Sequence, residues 1–224
     1  MTEPYDVRPE YPSYAPAYRP LPTAPSDLAT AALVLAGVVT VLQAVSAAAS
    51  WWAAGSYREA ARDGVPPVEV LTAYDAVGFL LLAAMLAAYV VTSTWLYRSR
   101  TLTDQLAPQV KQERRPVWAW LGWWVPIVSF WFPYQVVRGV QVDRPGRRPV
   151  DLGGWWACWV VFIVLNRVSA RISGSAEVRS DGAYTIFALV ETVVAAVLVV
   201  ALVRWVTIVK DITAGQQHLL RAAQ

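Results

Sequence analysis

The chain has 224 residues, 56% of them hydrophobic and only 16% charged, with a formal net charge of +3. Its 19 basic residues are spread over loops rather than gathered on one face, which argues against a nucleic-acid-binding surface. The single cysteine, Cys158, sits in an apolar run, so a disulfide framework and a thiolate metal site are excluded and an inert, buried thiol is expected.

The apolar residues come in uncharged runs at 28–52, 76–97, 117–137 and 152–166, then at 182–203 with one carboxylate, Glu191. A helix rising 1.5 Å per residue needs about 20 such residues to cross the hydrocarbon core. The pattern predicts an all-α, multi-pass membrane protein. It divides into a tail over 1–26, a helical membrane domain over 27–210 and a C-terminal tail over 211–224, expected to be helical and solvated at His218 and Arg221.

Residues 1–26 hold seven Pro and four Tyr, a composition that blocks helix and sheet and predicts an extended, disordered segment. Such a tail is either a passive tether or a docking segment for a protein partner. Helix 1 is expected to start after the N-cap chemistry of Ser26-Asp27 and to run to about Trp52; its Ala, Gly and Ser suit close helix packing. A solvated loop with the Pro66-Pro67 break follows. A second helix is expected over 73–97, and five basic residues lie between Arg98 and Arg115.

The centre of the chain is Pro116–Asp151. Pro126 and Pro133 each remove a backbone N–H and obstruct a helical turn. Trp118, Trp120, Trp123, Trp124 and Trp131 prefer headgroup depth, and five in fourteen residues are hard to place on one perpendicular crossing. The stretch is therefore expected to be re-entrant or kinked, leaving four crossings; a fifth full crossing is the alternative. With a cytoplasmic N-terminus, four crossings put fourteen basic residues inside and five outside, whereas five crossings split them ten to nine. Basic loops stay cytoplasmic, so four crossings in a cytoplasmic membrane are expected. The composition, rich in Ala, Val and Arg, suggests a bacterial source.

A further helix opens at Gly153-Gly154, its uncharged run ending at Asn166 with Arg167 and Arg171 one turn apart beyond it. After a polar turn over 172–182, the last helix is expected over 183–209, carrying Glu191 near its middle. An unpaired carboxylate there costs several kcal/mol or must stay protonated. In a hairpin turning near residue 179, Arg167 lies at the depth of Glu191, so a structural ion pair with Asn166 nearby is the favoured reading. A proton- or ion-handling site is the alternative, and a carboxylate facing a partner or aqueous cavity is the third. Arg138, Arg144, Arg147 and Arg148 are candidate contacts for lipid phosphates, or else simple topology determinants.

His218 is the only histidine and lacks a carboxylate or Cys cluster, so no metal site is expected. The phosphate-loop, GxSxG and HExxH motifs are absent from the sequence. The expectation is therefore a protein without enzymatic residues or cofactor. It is a membrane module that contacts the bilayer, forms homo-oligomers or binds a partner. A small transporter or channel component built on the Glu191/Arg167 pair is the alternative, and an enzyme acting on lipid, resting only on the basic interfacial residues, is the third.

The runs Gly122-Trp123-Trp124-Val125-Pro126-Ile127 and Trp131-Phe132-Pro133-Tyr134-Gln135-Val136-Val137-Arg138 carry a resemblance. With the Trp-rich Leu152–Trp159 and Asn166 and Arg171 before the polar turn, they resemble the signature of a bacterial membrane family, domain of unknown function 4328. The resemblance covers about 75–210 and marks Gly122, Trp123, Pro126, Trp131, Pro133, Tyr134, Arg138 and Arg171 as motif positions. Ser129 and Phe132 depart from it, standing where the family often has Asn and commonly Arg. The resemblance implies a multi-pass membrane domain and no activity.

Overall fold

The computed structural model describes residues 22–107, 114–125, 127–142, 144 and 146–224. Most of the Pro/Tyr-rich tail and Pro126 therefore lie outside the described residues. The helices are α1 (Ser26–Arg62), α2 (Ala73–Leu106), α3 (Trp118–Leu121), α4 (Phe132–Gly139), α5 (Gly153–Ser173) and α6 (Asp181–Ala222). Short 3-10 turns occupy Pro67–Glu69 and Val128–Phe130, and no strand forms among the described residues. α1, α2, α5 and α6 are long and apolar enough to cross a membrane. The all-α, four-span expectation holds.

Three helices outrun the apolar stretches that announced them. α1 continues ten residues past Trp52 to Arg62, α2 reaches Leu106 rather than Tyr97, and α6 reaches Ala222 rather than Val209. Hydropathy measures the thickness of hydrocarbon, whereas a helix stops only where its backbone is interrupted. α1 ends where Gly64 takes φ +75° just before Pro66-Pro67. α2 begins where Asp75 Oδ2 accepts from Thr72 N at 2.7 Å and Thr72 Oγ1 at 2.8 Å, a capping box. Ser26 is the first helical residue of α1 and makes no side-chain cap, contrary to expectation. Residues 211–222 continue α6; Asp211, Ile212, Gly215 and Gln216 are buried, while His218 and Arg221 are exposed.

α1 packs between α2 and α6, and α6 packs between α1 and α5, while α2 and α5 do not pack side by side. Two buried clusters mark the ends of this row. At what we call the tryptophan end, Ala29 of α1, Trp95 and Leu96 of α2, Leu152 and Trp155 of α5, and Trp205 and Ile208 of α6 meet Ala119, Val136 and Val137 of the central segment. At the glutamate end, Ala53, Ala54 and Tyr57 of α1 meet Tyr184, Phe187 and Ala188 of α6, with Tyr74 and Ile172 against them. The small residues of α1 are thus used within the chain, against α6.

α2 therefore finishes, and α5 starts, at the same end. The segment joining them enters and leaves there, so it is re-entrant and does not make a fifth crossing. Its tip is anchored on both flanking helices: Tyr89 OH donates to Trp120 O at 2.9 Å, Trp124 meets the Tyr89 ring, and Trp123 meets Trp159 edge-on at 5.3 Å. Tyr89 lies nine residues before Arg98, about 13 Å at 1.5 Å per residue. Trp124 and Ile127 are exposed at this apolar tip, and Ile127 takes φ 69°, rare for a β-branched residue. The insertion is shallow.

Beyond the bilayer, the returning loop is tied to α6. Arg144 forms an ion pair with the buried Asp211, Val142 Cβ lies 3.0 Å from where a side chain on Gly215 would begin, and within the loop Gln141 Nε2 donates to Val150 O at 2.9 Å. Single cysteines at Gln105 and Arg148, in a Cys158→Ser background, should react with an impermeant thiol reagent from the same side of a sealed vesicle. A cysteine at Ala176, exposed in the turn between α5 and α6, should react from the opposite side. Labelling of positions 105 and 148 from opposite sides would contradict the re-entrant path.

Candidate functional site

Glu191 sits ten residues into α6 and is only 3% exposed. Its carboxylate receives three hydrogen bonds. Gln43 Nε2 of α1 donates to Oε2 at 2.7 Å, Tyr74 OH of α2 donates to Oε1 at 3.0 Å, and Ser169 Oγ of α5 donates to Oε1. Each of the four spanning helices thus contributes one residue to the site. Gln43 and Ser169 are themselves buried, and the T-shaped pair of Tyr74 with Phe187, centroids 5.0 Å apart, covers the site from the glutamate end. Both oxygens are met by neutral donors, and no basic side chain takes part.

This corrects the expected ion pair. Arg167 is exposed and Asn166 half-buried, and neither bonds Glu191. The depth argument was sound, since Ser169 is only two residues away. Two residues rotate a helix by about 200°, however, and that turns Arg167 from the α6-facing side of α5 to the lipid-facing side. Gln43 and Tyr74 were missed altogether. Gln43 carried a usable signal, being the lone amide in the uncharged run of α1.

The family-motif positions build the central element. Gly122 is required by closeness, not by φ: a Cβ there would stand 2.8 Å from Trp118 O and 3.3 Å from Phe132 Cβ. Trp123 Nε1 donates to Ala119 O at 3.0 Å, and Pro133 sits buried in the first turn of α4, where its missing N–H costs nothing. Tyr134 leans on Trp156, and the exposed Trp131 on Phe132. Phe132 is buried, with Trp118 edge-on and the Arg114 guanidinium 4.0 Å above its ring while Arg114 Nε donates to Gln135. Arg138 and Arg171 are exposed in the last turns of α4 and α5.

Of the candidate phosphate contacts, Arg138, Arg147 and Arg148 are exposed at the tryptophan end, whereas Arg144 is committed to Asp211. Among the described residues no group of three His, Cys, Asp or Glu is placed to hold a metal ion. Cys158 is half-buried with a free thiol.

Between α2 and α5 lies a crevice of about 450 Å³. Leu82, Leu86 and Tyr89 of α2 form one wall, Trp159 and Phe162 of α5 the other, and Trp123 and Trp124 lie toward the tryptophan end. α1 and α6 close its back through Thr40 and Ala201.

Thermal unfolding in detergent, followed by circular dichroism, should rank four substitutions. Ser169→Ala should cost about 0.6–1.7 kcal/mol, the range for hydrogen bonds between membrane helices. Glu191→Ala strands three donors and should cost about 3 kcal/mol, while Arg167→Gln should stay within about 0.5 kcal/mol of wild type. Gly122→Ala should lose about 1–3 kcal/mol through overpacking of the turn.

No curated protein and no solved structure matches this chain. Residues 70–214, more than half of the chain, match the family model described as Domain of unknown function (DUF4328). That stretch holds α2, the whole re-entrant element, α5 and α6 as far as Ala214, and leaves out α1 and the last turns of α6. The chain is a member of the DUF4328 family.

Proposed function

We propose that this chain is a non-catalytic membrane module of a bacterial cytoplasmic membrane that presents its tryptophan end, on the cytoplasmic side, to partner proteins or to further copies of itself. The observation that supports this reading is the bracing of α6 where it continues past the bilayer. At 42 residues α6 is about 63 Å long, twice the hydrocarbon thickness. Its continuation is held by Asp211 and Gly215 against the returning loop. The start of α1 and the described basic residues around α2 and α4 lie at the same end. The excess of basic residues at that end supports the cytoplasmic orientation.

The second reading, a small transporter or channel component, draws on the crevice beside a broken element. It is the weaker one, because the hydrogen-bonding capacity of Glu191 is used in joining helices and Arg167 faces away from it.

A photo-crosslinker at Gln217 or Arg147 in native membranes should give a discrete protein adduct, and the same probe at Ala176 should not. Proton flux into liposomes holding the purified chain should equal that of empty liposomes. Adducts with lipid alone at both ends, or a flux abolished by Glu191→Gln, would overturn the proposal.

A further inference from the structure

The crevice between α2 and α5 and the two arginines of α5 belong together. The crevice lies at hydrocarbon depth, and its volume of about 450 Å³ falls within the range of roughly 300–1,000 Å³ typical of small-molecule sites. Its walls are almost entirely hydrocarbon and aromatic. The hydroxyl protons on the wall are largely engaged: Thr40 Oγ1 donates to Ala36 O at 2.8 Å and Tyr89 OH to Trp120 O at 2.9 Å. Apart from the unbonded indole N–H of Trp159, water in the crevice would find few partners, and the apolar walls suit a hydrocarbon chain.

The rim supplies the charge. Arg167 and Arg171 are one turn apart, both exposed, and form no ion pair among the described residues. On α5 the crevice is lined by Trp155, Trp159 and Phe162; Asn166 continues that line, and Arg167 and Arg171 follow about 100° and 140° further round the helix, on the side away from α6. Trp156, which meets Tyr134 of the re-entrant element, lies on the same flank. Arg167 therefore stands on the open side, eight residues or about 12 Å along α5 from Trp159. Two guanidinium groups near the end of a span, on a lipid-facing flank, are complementary to one phosphate at the headgroup level.

We propose that the crevice holds one acyl chain of an anionic phospholipid from the leaflet at the glutamate end, with its phosphate clamped by Arg167 and Arg171. The chain descends between α2 and α5 until Trp123 and Trp124 stop it. This goes beyond the interaction role argued above and does not depend on it.

The test is native mass spectrometry of the full chain, delipidated in detergent and titrated with phosphatidylglycerol or phosphatidylcholine of equal chain length. Wild type should retain one phosphatidylglycerol at least tenfold more tightly than phosphatidylcholine. R167Q/R171Q should abolish that preference while still retaining either lipid weakly. Ala201→Phe, which fills the crevice, should lower retention of both lipids at least tenfold with an unchanged melting curve. Leu86→Trp, at the half-open rim, provides the same test if Ala201→Phe does not fold. Undiminished retention in a folded, crevice-filled variant, or equal binding of the two lipids by wild type, would overturn the proposal.

Discussion

A carboxylate away from water must be given hydrogen-bond donors, and in this fold that requirement falls on Glu191. Gln43, Tyr74 and Ser169 reach it from three different helices, so one polar point fixes α1, α2, α5 and α6 against one another. The surrounding contacts between these helices are made by alanines and by the rings of Tyr57, Tyr74, Tyr184 and Phe187. Apolar faces in lipid tolerate sliding, since lipid tails are as apolar as the partner helix. A hydrogen-bonded carboxylate does not tolerate it, because a register shift of one residue withdraws the donors. The register of the array is therefore set at Glu191.

The opposite end is fixed by other means. There the aromatic rings do the work: Trp155 stacks on Trp205 with centroids 5.1 Å apart, and Trp95 meets Trp205 edge-on at 5.9 Å. The re-entrant element occupies the side where α2 and α5 fail to meet, inserting Trp123 and Trp124 between them. Its broken backbone is acceptable because it is shallow and packed on protein, the circumstance in which irregular structure survives at membrane depth. Gly122 and Pro133 let the chain turn back within a few residues.

Much of this was legible in the sequence. The uncharged runs located four spans, and the two prolines with five tryptophans, weighed against the distribution of arginines, pointed to a re-entrant centre. Helix ends were less legible, because α1, α2 and α6 continue as helices after their sequence turns polar. The site was half legible. Glu191 was conspicuous as a charge in an apolar run, and its depth relative to α5 followed from hairpin geometry. Its partners did not follow, since depth leaves the rotation of each helix undetermined and Ser169 looks like any other helical serine. The sequence also favours charge pairing as an explanation for a buried acid, when neutral donors suffice. Nor does any local pattern announce that Arg144 meets Asp211, 67 residues later.

Pinning at both ends has a mechanical consequence. Along α6, Glu191 and Asp211 are twenty residues apart, about 30 Å, which is the thickness of the hydrocarbon core itself. A helix pinned at both of these points is not free to tilt in answer to a thinner or thicker bilayer. α2 is tied at the same two levels, by Tyr74 on Glu191 and by Trp95 against Trp205. In a bilayer of mismatched thickness the pinned helices hold their tilt and the surrounding lipid deforms around them.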